Sequence, residues 1–221
     1  MIDIMISGIN GRLGREVYAL ASKTSEFNVV CGVDKHAFGD FNCPIYPTVQ
    51  EADGHFDAIV DFSSPSALDG LLQKTEEYGC ALLVCTTGHS PKQREQIEQT
   101  AKRLPVRIMH NTSRGILAIE QILPKLSELL SDFDVCLTET HRKHKKDAPS
   151  GTAVALKELI KDAPVQTCSF RAGNVPGTHT VAFCGEFETV TLTHTALSSS
   201  AFAKGALDAV RELVNTASKQ K

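Results

Sequence analysis

No stretch of this 221-residue chain approaches the ~20 consecutive apolar residues that a membrane-spanning helix requires, so no membrane partner is expected. The start, Met1-Ile2-Asp3-Ile4-Met5-Ile6, lacks the basic run of a secretory leader and begins in a strand-like pattern, which predicts a cytoplasmic protein. Charge of one sign is missing too. With 23 Lys+Arg against 26 Asp+Glu the formal charge is -3, which argues against a nucleic-acid partner held by bulk charge. The seven cysteines (Cys31, Cys43, Cys80, Cys85, Cys136, Cys168, Cys184) include no C-x-x-C pair. They are expected to be reduced, buried small hydrophobes rather than a disulfide framework or a zinc site. Neither internal repeats nor low-complexity segments occur, which excludes a solenoid.

What the chain does contain is a rhythm. Apolar strand patterns at Ile2–Ser7, Phe27–Asp34, Asp57–Phe62, Ala81–Cys85 and Val106–His110 alternate with helical patterns at Arg12–Lys23, Pro65–Tyr78 and Ser90–Arg103. Continuous apolar strands between helices predict a parallel sheet covered on both faces. The stretch through Pro44 and Pro47 reads as turns. Beyond Gly115–Leu130, a long amphipathic helix with Pro124 inside it, the order changes to strand (Val135–Thr140), helix (Ser150–Lys161) and then three strands in succession. That order predicts a mixed sheet and a second domain. The fold class is therefore α/β: an N-terminal Rossmann dinucleotide-binding domain (1–112, rejoined by 200–221) and an α+β domain with a mixed sheet (113–199); the tail of the chain, 218–221, is expected to fray.

Gly8-Ile9-Asn10-Gly11-Arg12-Leu13-Gly14 follows the first strand and opens the first helix. Such a turn lets a pyrophosphate approach the backbone and meet helix N–H groups. By itself G-x-x-G-x-x-G is a weak signal, since a tight turn with close helix–sheet packing also uses it. Asp34 ends the second strand 20 residues after Gly14, where a carboxylate accepts the adenine ribose hydroxyls. Lys35 beside it could pair with a 2′-phosphate, so NADH and NADPH both stay open. Two further strand ends, Cys85-Thr86-Thr87-Gly88 and His110-Asn111-Thr112-Ser113, fall on the same carboxyl edge.

The densest chemistry lies in Glu139-Thr140-His141-Arg142-Lys143-His144-Lys145-Lys146-Asp147-Ala148-Pro149-Ser150-Gly151-Thr152-Ala153. Ser150 suits a helix cap, and Gly151 and Thr152 offer N–H groups at a positive helix end. A cation cluster before such an end is a receptor for a small carboxylate or phosphate. The competing readings are a solvated charged loop and a His141/His144 metal pair. The pair lacks a standard third ligand, so no metal is expected.

This stretch resembles the E-x-H-x-x-x-K-x-D-A-P-S-G-T-A signature of the dihydrodipicolinate reductases of bacterial lysine and diaminopimelate biosynthesis. The resemblance extends through Gly8–Gly14, Asp61-Phe62-Ser63, Thr86-Thr87-Gly88, Asn111-Thr112-Ser113, Arg171–His179, Gly185-Glu186 and Phe202–Ala206, essentially the whole chain. It implies His141 as proton donor and Lys145 as a catalytic and substrate-binding residue, with Arg142, Ser150, Gly151 and Thr152 also on the substrate. It further implies cofactor contacts at Gly8, Ile9, Asn10, Gly11, Arg12, Leu13, Asp34, Lys35, Cys85, Thr86, Thr87, Met109, His110, Asn111 and Thr112. The implied reaction is NADH- or NADPH-dependent reduction of a small cyclic dicarboxylate in a homotetramer. Three positions depart from the family pattern: Arg142 stands where a second His is frequent, Cys85 replaces a Gly, and Ser199 replaces an Arg. A different two-domain Rossmann dehydrogenase of amino or oxo acids, or a non-catalytic NAD(H)-sensing module, are the alternatives.

Overall fold

The structure is a computed structural model that describes residues 1–36, 38–161 and 163–218; the tail 219–221 lies outside them. Two compact units emerge, Met1–Thr112 with Phe202–Lys221, and Ser113–Ala201.

The first unit is built on six strands: β1 (Ile2–Ser7), β2 (Phe27–Val33), β3 (Ile45–Tyr46), β4 (Ala58–Asp61), β5 (Ala81–Val84) and β6 (Val106–Ile108). All pair in parallel, in the order β3-β2-β1-β4-β5-β6. Both faces of β1 are buried, Ile4 and Ile6 alternating with Met5, which explains why its sequence is a continuous apolar run rather than an alternating one. The first three helices are α1 (Arg12–Ala21), α2 (Leu68–Tyr78, entered through a 3-10 turn at Pro65–Ala67) and α3 (Pro91–Ala101). Ser90 caps α3 in a capping box with Gln93, with Pro91 in its first turn, where the missing N–H costs nothing. β3 falls in the stretch read as turns: two residues between Pro44 and Pro47 are too short to show a period.

The second unit opens with α4 (Arg114–Leu129), which runs through Pro124, followed by β7 (Asp134–His141), α5 (Gly151–Glu158), β8 (Val165–Arg171), β9 (Thr178–Cys184) and β10 (Thr189–Thr195). The sheet order is β10-β9-β7-β8; β7 and β8 are parallel, and the other pairs antiparallel. One face packs on α4 and α5 through Leu137, Val181, Phe183, Ile116, Leu123, Ala153 and Leu156. The other face keeps Thr138, Thr180 and Cys184 half-buried and Thr191 and Thr193 exposed. α6 (Ser200–Ser218) closes the chain; from Phe202 onward it belongs to the first unit, where Arg211 forks onto Glu26 and reaches Asp208. The seven cysteines are free, and against the expectation not all are buried: Cys168 is exposed, because it points away from the helices on β8.

Candidate active site

In the first unit the strand order reverses between β1 and β4, the point where open parallel sheets receive their ligands. Gly8 leaves β1 with φ +78, and a Cβ there would stand 2.6 Å from the Phe62 carbonyl oxygen that follows β4. A Cβ on Gly14 would meet the Gly8 carbonyl oxygen at 2.2 Å, so the turn and the helix close on each other only as glycines. Gly11 stands at the N-cap of α1, and no side chain caps that helix.

Asp34 sits just past β2 with its N–H donating to Tyr46 O at 3.0 Å. Its carboxylate accepts the N–H of Asn10 and of His36, each at 3.2 Å, which fixes where its remaining lone pairs point. A cavity of about 550 Å³ is lined by Gly8, Gly11, Asp34, Lys35, Phe62 and Ser63 among others. Ser7, also in its lining, and Thr86 carry buried hydroxyls without a partner among the described residues. A glycine cradle, a fixed carboxylate and unsatisfied hydroxyls at one sheet edge fit a dinucleotide.

Cys85–Thr87 follow β5 and Met109–Thr112 follow β6, on the same edge but outside that cavity's lining. Burial pushes the Cys85 thiol far above its ordinary range, so it stays a neutral thiol. Thr112 spends its hydroxyl on the Phe202 carbonyl at 2.6 Å, anchoring α6.

In the second unit the buried face of β7 reads Val135, Leu137, Glu139, His141. Its apolar half belongs to the core, and its polar half starts the site. Glu139 is fully buried, and its carboxylate is contacted from four sides. Arg171 forks across both oxygens, Nη1 to Oε2 and Nη2 to Oε1, each at 2.8 Å. The Ser150 N–H donates to Oε1 at 3.2 Å, and His141 Nδ1 meets Oε2. Burial pushes this carboxyl up, but the hydrogen bonds from Arg171 and His141 outweigh it and hold it at about 2. An ionised carboxylate only accepts, so Nδ1 of His141 carries the hydrogen and Nε2 is the free nitrogen.

Burial lowers the affinity of His141 for a proton, against the pull of Glu139. Its Nε2 faces Gly177, where a Cβ would come within 2.9 Å. Ser150 is the N-cap of α5, its Oγ accepting the Ala153 N–H at 3.2 Å and meeting His179 Nε2 at 3.0 Å. His179 is driven down to about 4 by burial, so its ring is neutral. It lies edge-on to His141 with centroids 5.1 Å apart.

Lys145 pairs with Asp147 at 2.8 Å. Arg142, Lys143, His144 and Lys146 are exposed, so the cation run is a solvated loop apart from Lys145. Gly151 and Thr152 form the first turn of α5. The unit thus brings His141, Ser150 and the start of α5 together through Glu139. Arg171 and His179, to which sequence reasoning gave no role, complete that network; they face it by strand register, His141 opposite Arg171 and Glu139 opposite His179.

A positive helix end, a buried imidazole with one free nitrogen and a lysine make a set that can hold an anion and move a proton. Comparison with known proteins points the same way. Residues 2–112 match the family model described as dihydrodipicolinate reductase, N-terminus, and 115–221 the one described as dihydrodipicolinate reductase, C-terminus. The 4-hydroxy-tetrahydrodipicolinate reductase of Clostridium tetani is 33% identical over 230 residues, 95% of this chain and 90% of that protein. The enzyme of the same name from Clostridium novyi is 34% identical over 230 residues, with 95% and 91% covered. Among solved structures, a dipicolinate-bound dihydrodipicolinate reductase from Paenisporosarcina sp. TG-14 superposes with a TM-score of 0.78 at 18% identity, covering 97% of this chain and 95% of that one; that likeness concerns the fold. On both halves of its length, then, the chain belongs to the dihydrodipicolinate reductase family.

Proposed function

We propose that the chain reduces (2S,4S)-4-hydroxy-2,3,4,5-tetrahydrodipicolinate to 2,3,4,5-tetrahydrodipicolinate with loss of water, using NADH or NADPH, in lysine and diaminopimelate biosynthesis. The observation that carries this reading is the second unit's pairing of a buried proton donor, His141, with the capped positive end of α5 at Ser150 on one carboxylate, Glu139. Curated relatives one third identical over nearly the whole chain bear the name of that activity.

The substrate is a ring with two carboxylates. Loss of water from carbons four and five leaves an N=C–C=C system, to which a bound nicotinamide would supply hydride at carbon four. Electron density then reaches carbon five, next to the imine carbon, and that carbon needs a proton. His141 supplies it from Nε2 while Glu139 stabilises the imidazolium through Nδ1. In the free protein burial keeps His141 low. Two incoming carboxylates offset Lys145 and Arg171 and draw a proton onto the ring. Ser150, Gly151 and Thr152 receive one carboxylate at the start of α5, and Lys145, with Arg142 behind it, the other. On the first unit, Gly8–Leu13, Asp34 and Lys35 hold the cofactor's pyrophosphate and adenosine ribose, with Cys85–Thr87 and Met109–Thr112 along the same edge.

The same reading makes the protein a cytoplasmic homotetramer joined through the uncovered face of the second sheet. Free thiols throughout the chain suit a reducing compartment, and cell fractionation tests that location. The function itself is tested by coupling the chain to the aldol-condensing synthase that makes the substrate from aspartate semialdehyde and pyruvate. Synthase-dependent oxidation of NADH or NADPH is expected; with neither coenzyme oxidised, the reading is wrong.

A further inference from the structure

We propose that Glu139, clamped by Arg171, is the positioning residue of the site: it sets the tautomer and orientation of His141 and locks the start of α5 in register with it. This rests on the reading of His141 as proton donor. The geometry is a single carboxylate each of whose oxygens takes two donors. Oε2 takes His141 Nδ1 and Arg171 Nη1; Oε1 takes the Ser150 N–H and Arg171 Nη2. Arg171 Nη2 also donates to the Asp147 carbonyl at 2.5 Å, and Nη1 to the Phe170 carbonyl at 2.7 Å. The loop that carries Lys145 is therefore tied to the same guanidinium that holds the carboxylate.

A buried carboxylate with an arginine fork has a plain structural use, stapling β7 to β8. Three features go beyond stapling. The carboxylate faces the proton donor rather than packing beside it. Its second oxygen engages the backbone of the N-cap residue, so the proton donor and the anion-binding helix end share one anchor. Opposite the Glu139 contact, the His141 ring has room only because residue 177 is glycine. A ring fixed through one nitrogen and open at the other is the arrangement by which a carboxylate orients a working histidine.

The charged and titratable groups around His141 are Glu139 on its own strand, Arg171 on β8, His179 on β9 and Lys145 in the following loop, with His194 of β10 behind His179. Of these only Glu139 favours the protonated ring. Removing its charge lowers the proton affinity of His141, so the fall in kcat/KM with rising pH moves to lower pH.

The experiment compares the full-length wild type with Glu139→Gln, His141→Gln and the double variant. NADH binding and circular dichroism serve as checks of folding. Glu139→Gln is expected to lower kcat about 10–100-fold with a smaller change in KM, and to move the pH limb down by about one unit. In the His141→Gln background the same change is expected to cost less than about threefold further. NMR titration of the His141 ring reads the same midpoint shift without turnover.

A folded Glu139→Gln with an unmoved His141 midpoint overturns the proposal, as does an equal loss in both backgrounds. A wild type that is inactive on the dicarboxylate, with the His141 midpoint still shifted in Glu139→Gln, overturns the functional reading and leaves the positioning intact. Where Glu139→Gln does not fold, Glu139→Gln/Arg171→Gln, which removes both charges, is measured by the same titration; the shift is expected in the same direction but smaller, because Arg171 itself disfavours the protonated ring.

Discussion

The ring of His141 lies where it does because residue 177 has no side chain. A Cβ there would come within 2.9 Å of Nε2, and the ring cannot yield, since Nδ1 is tied to a buried carboxylate that Arg171 holds in turn. Nor is the backbone free to give way, because the Gly177 carbonyl accepts the Ala196 N–H at 2.9 Å. Gly177→Ala is therefore expected to displace the imidazole and lower kcat about 10–100-fold. Binding of NADH, read by fluorescence quenching, stays as in the wild type, because the first unit is untouched. A variant with unchanged kcat shows that Nε2 has more room than the backbone leaves it. Gly8 is constrained differently: its φ of +78 and the Phe62 carbonyl at 2.6 Å serve the nucleotide turn, and a side chain there strains the cradle itself.

Strand β7 shows at the element scale what can and cannot be seen in a sequence. Its alternation puts Val135, Leu137, Glu139 and His141 on one face, and a period of two is legible in a single chain. So are the apolar runs of β1 and β5 and the Ser-Pro start of α3. The partners of Glu139 are not: Arg171 lies 32 residues away and His179 still further, and both arrive through the register of β8 and β9. Local periodicity carries no information on register. β3 escaped for the opposite reason, being a two-residue edge strand whose pairing leaves no pattern. The open face of the second sheet bears on assembly. Thr191 and Thr193 on β10 and Phe170 on β8 stand exposed, and Phe170 is 53% accessible, a large ring on an open sheet face. Sheet faces of this kind are commonly covered by another copy. Light scattering is expected to give four times the chain mass, falling on Thr191→Arg/Thr193→Arg substitution. A wild-type monomer removes the tetramer from the reading.

Across the whole molecule, the same buried groups that prepare the site make its stability depend on acidity, and the sign can be worked out. His179 protonates at about 4 in the folded chain and at about 6.5 once unfolded. As pH falls from about 6.5 towards 4, the unfolded state takes up a proton that the native state refuses, so stability declines across that window and levels off below it. Glu139 acts in the next window down. Held at about 2 against about 4.3 unfolded, it contributes stability that is complete above its unfolded value and disappears as pH falls towards 2. The two windows adjoin, so acid attacks the second unit from mildly acidic conditions downward. The first unit has a different fastening, α6 burying Ala203, Ala206 and Val210 and holding Glu26 through Arg211, with no buried neutral histidine among the residues of that contact. Urea unfolding followed by hydrogen exchange of the β9 amides is expected to show the second unit losing on the order of 3 kcal/mol at most between pH 7 and 4. His179→Asn, which keeps a hydrogen-bonding side chain but cannot titrate, is expected to reduce that slope, leaving the smaller part that His141 and His194, also lowered by burial, contribute, and the loss below pH 4 in place. If the slope between pH 7 and 4 is undiminished in His179→Asn, the neutral buried ring of His179 is not its main source.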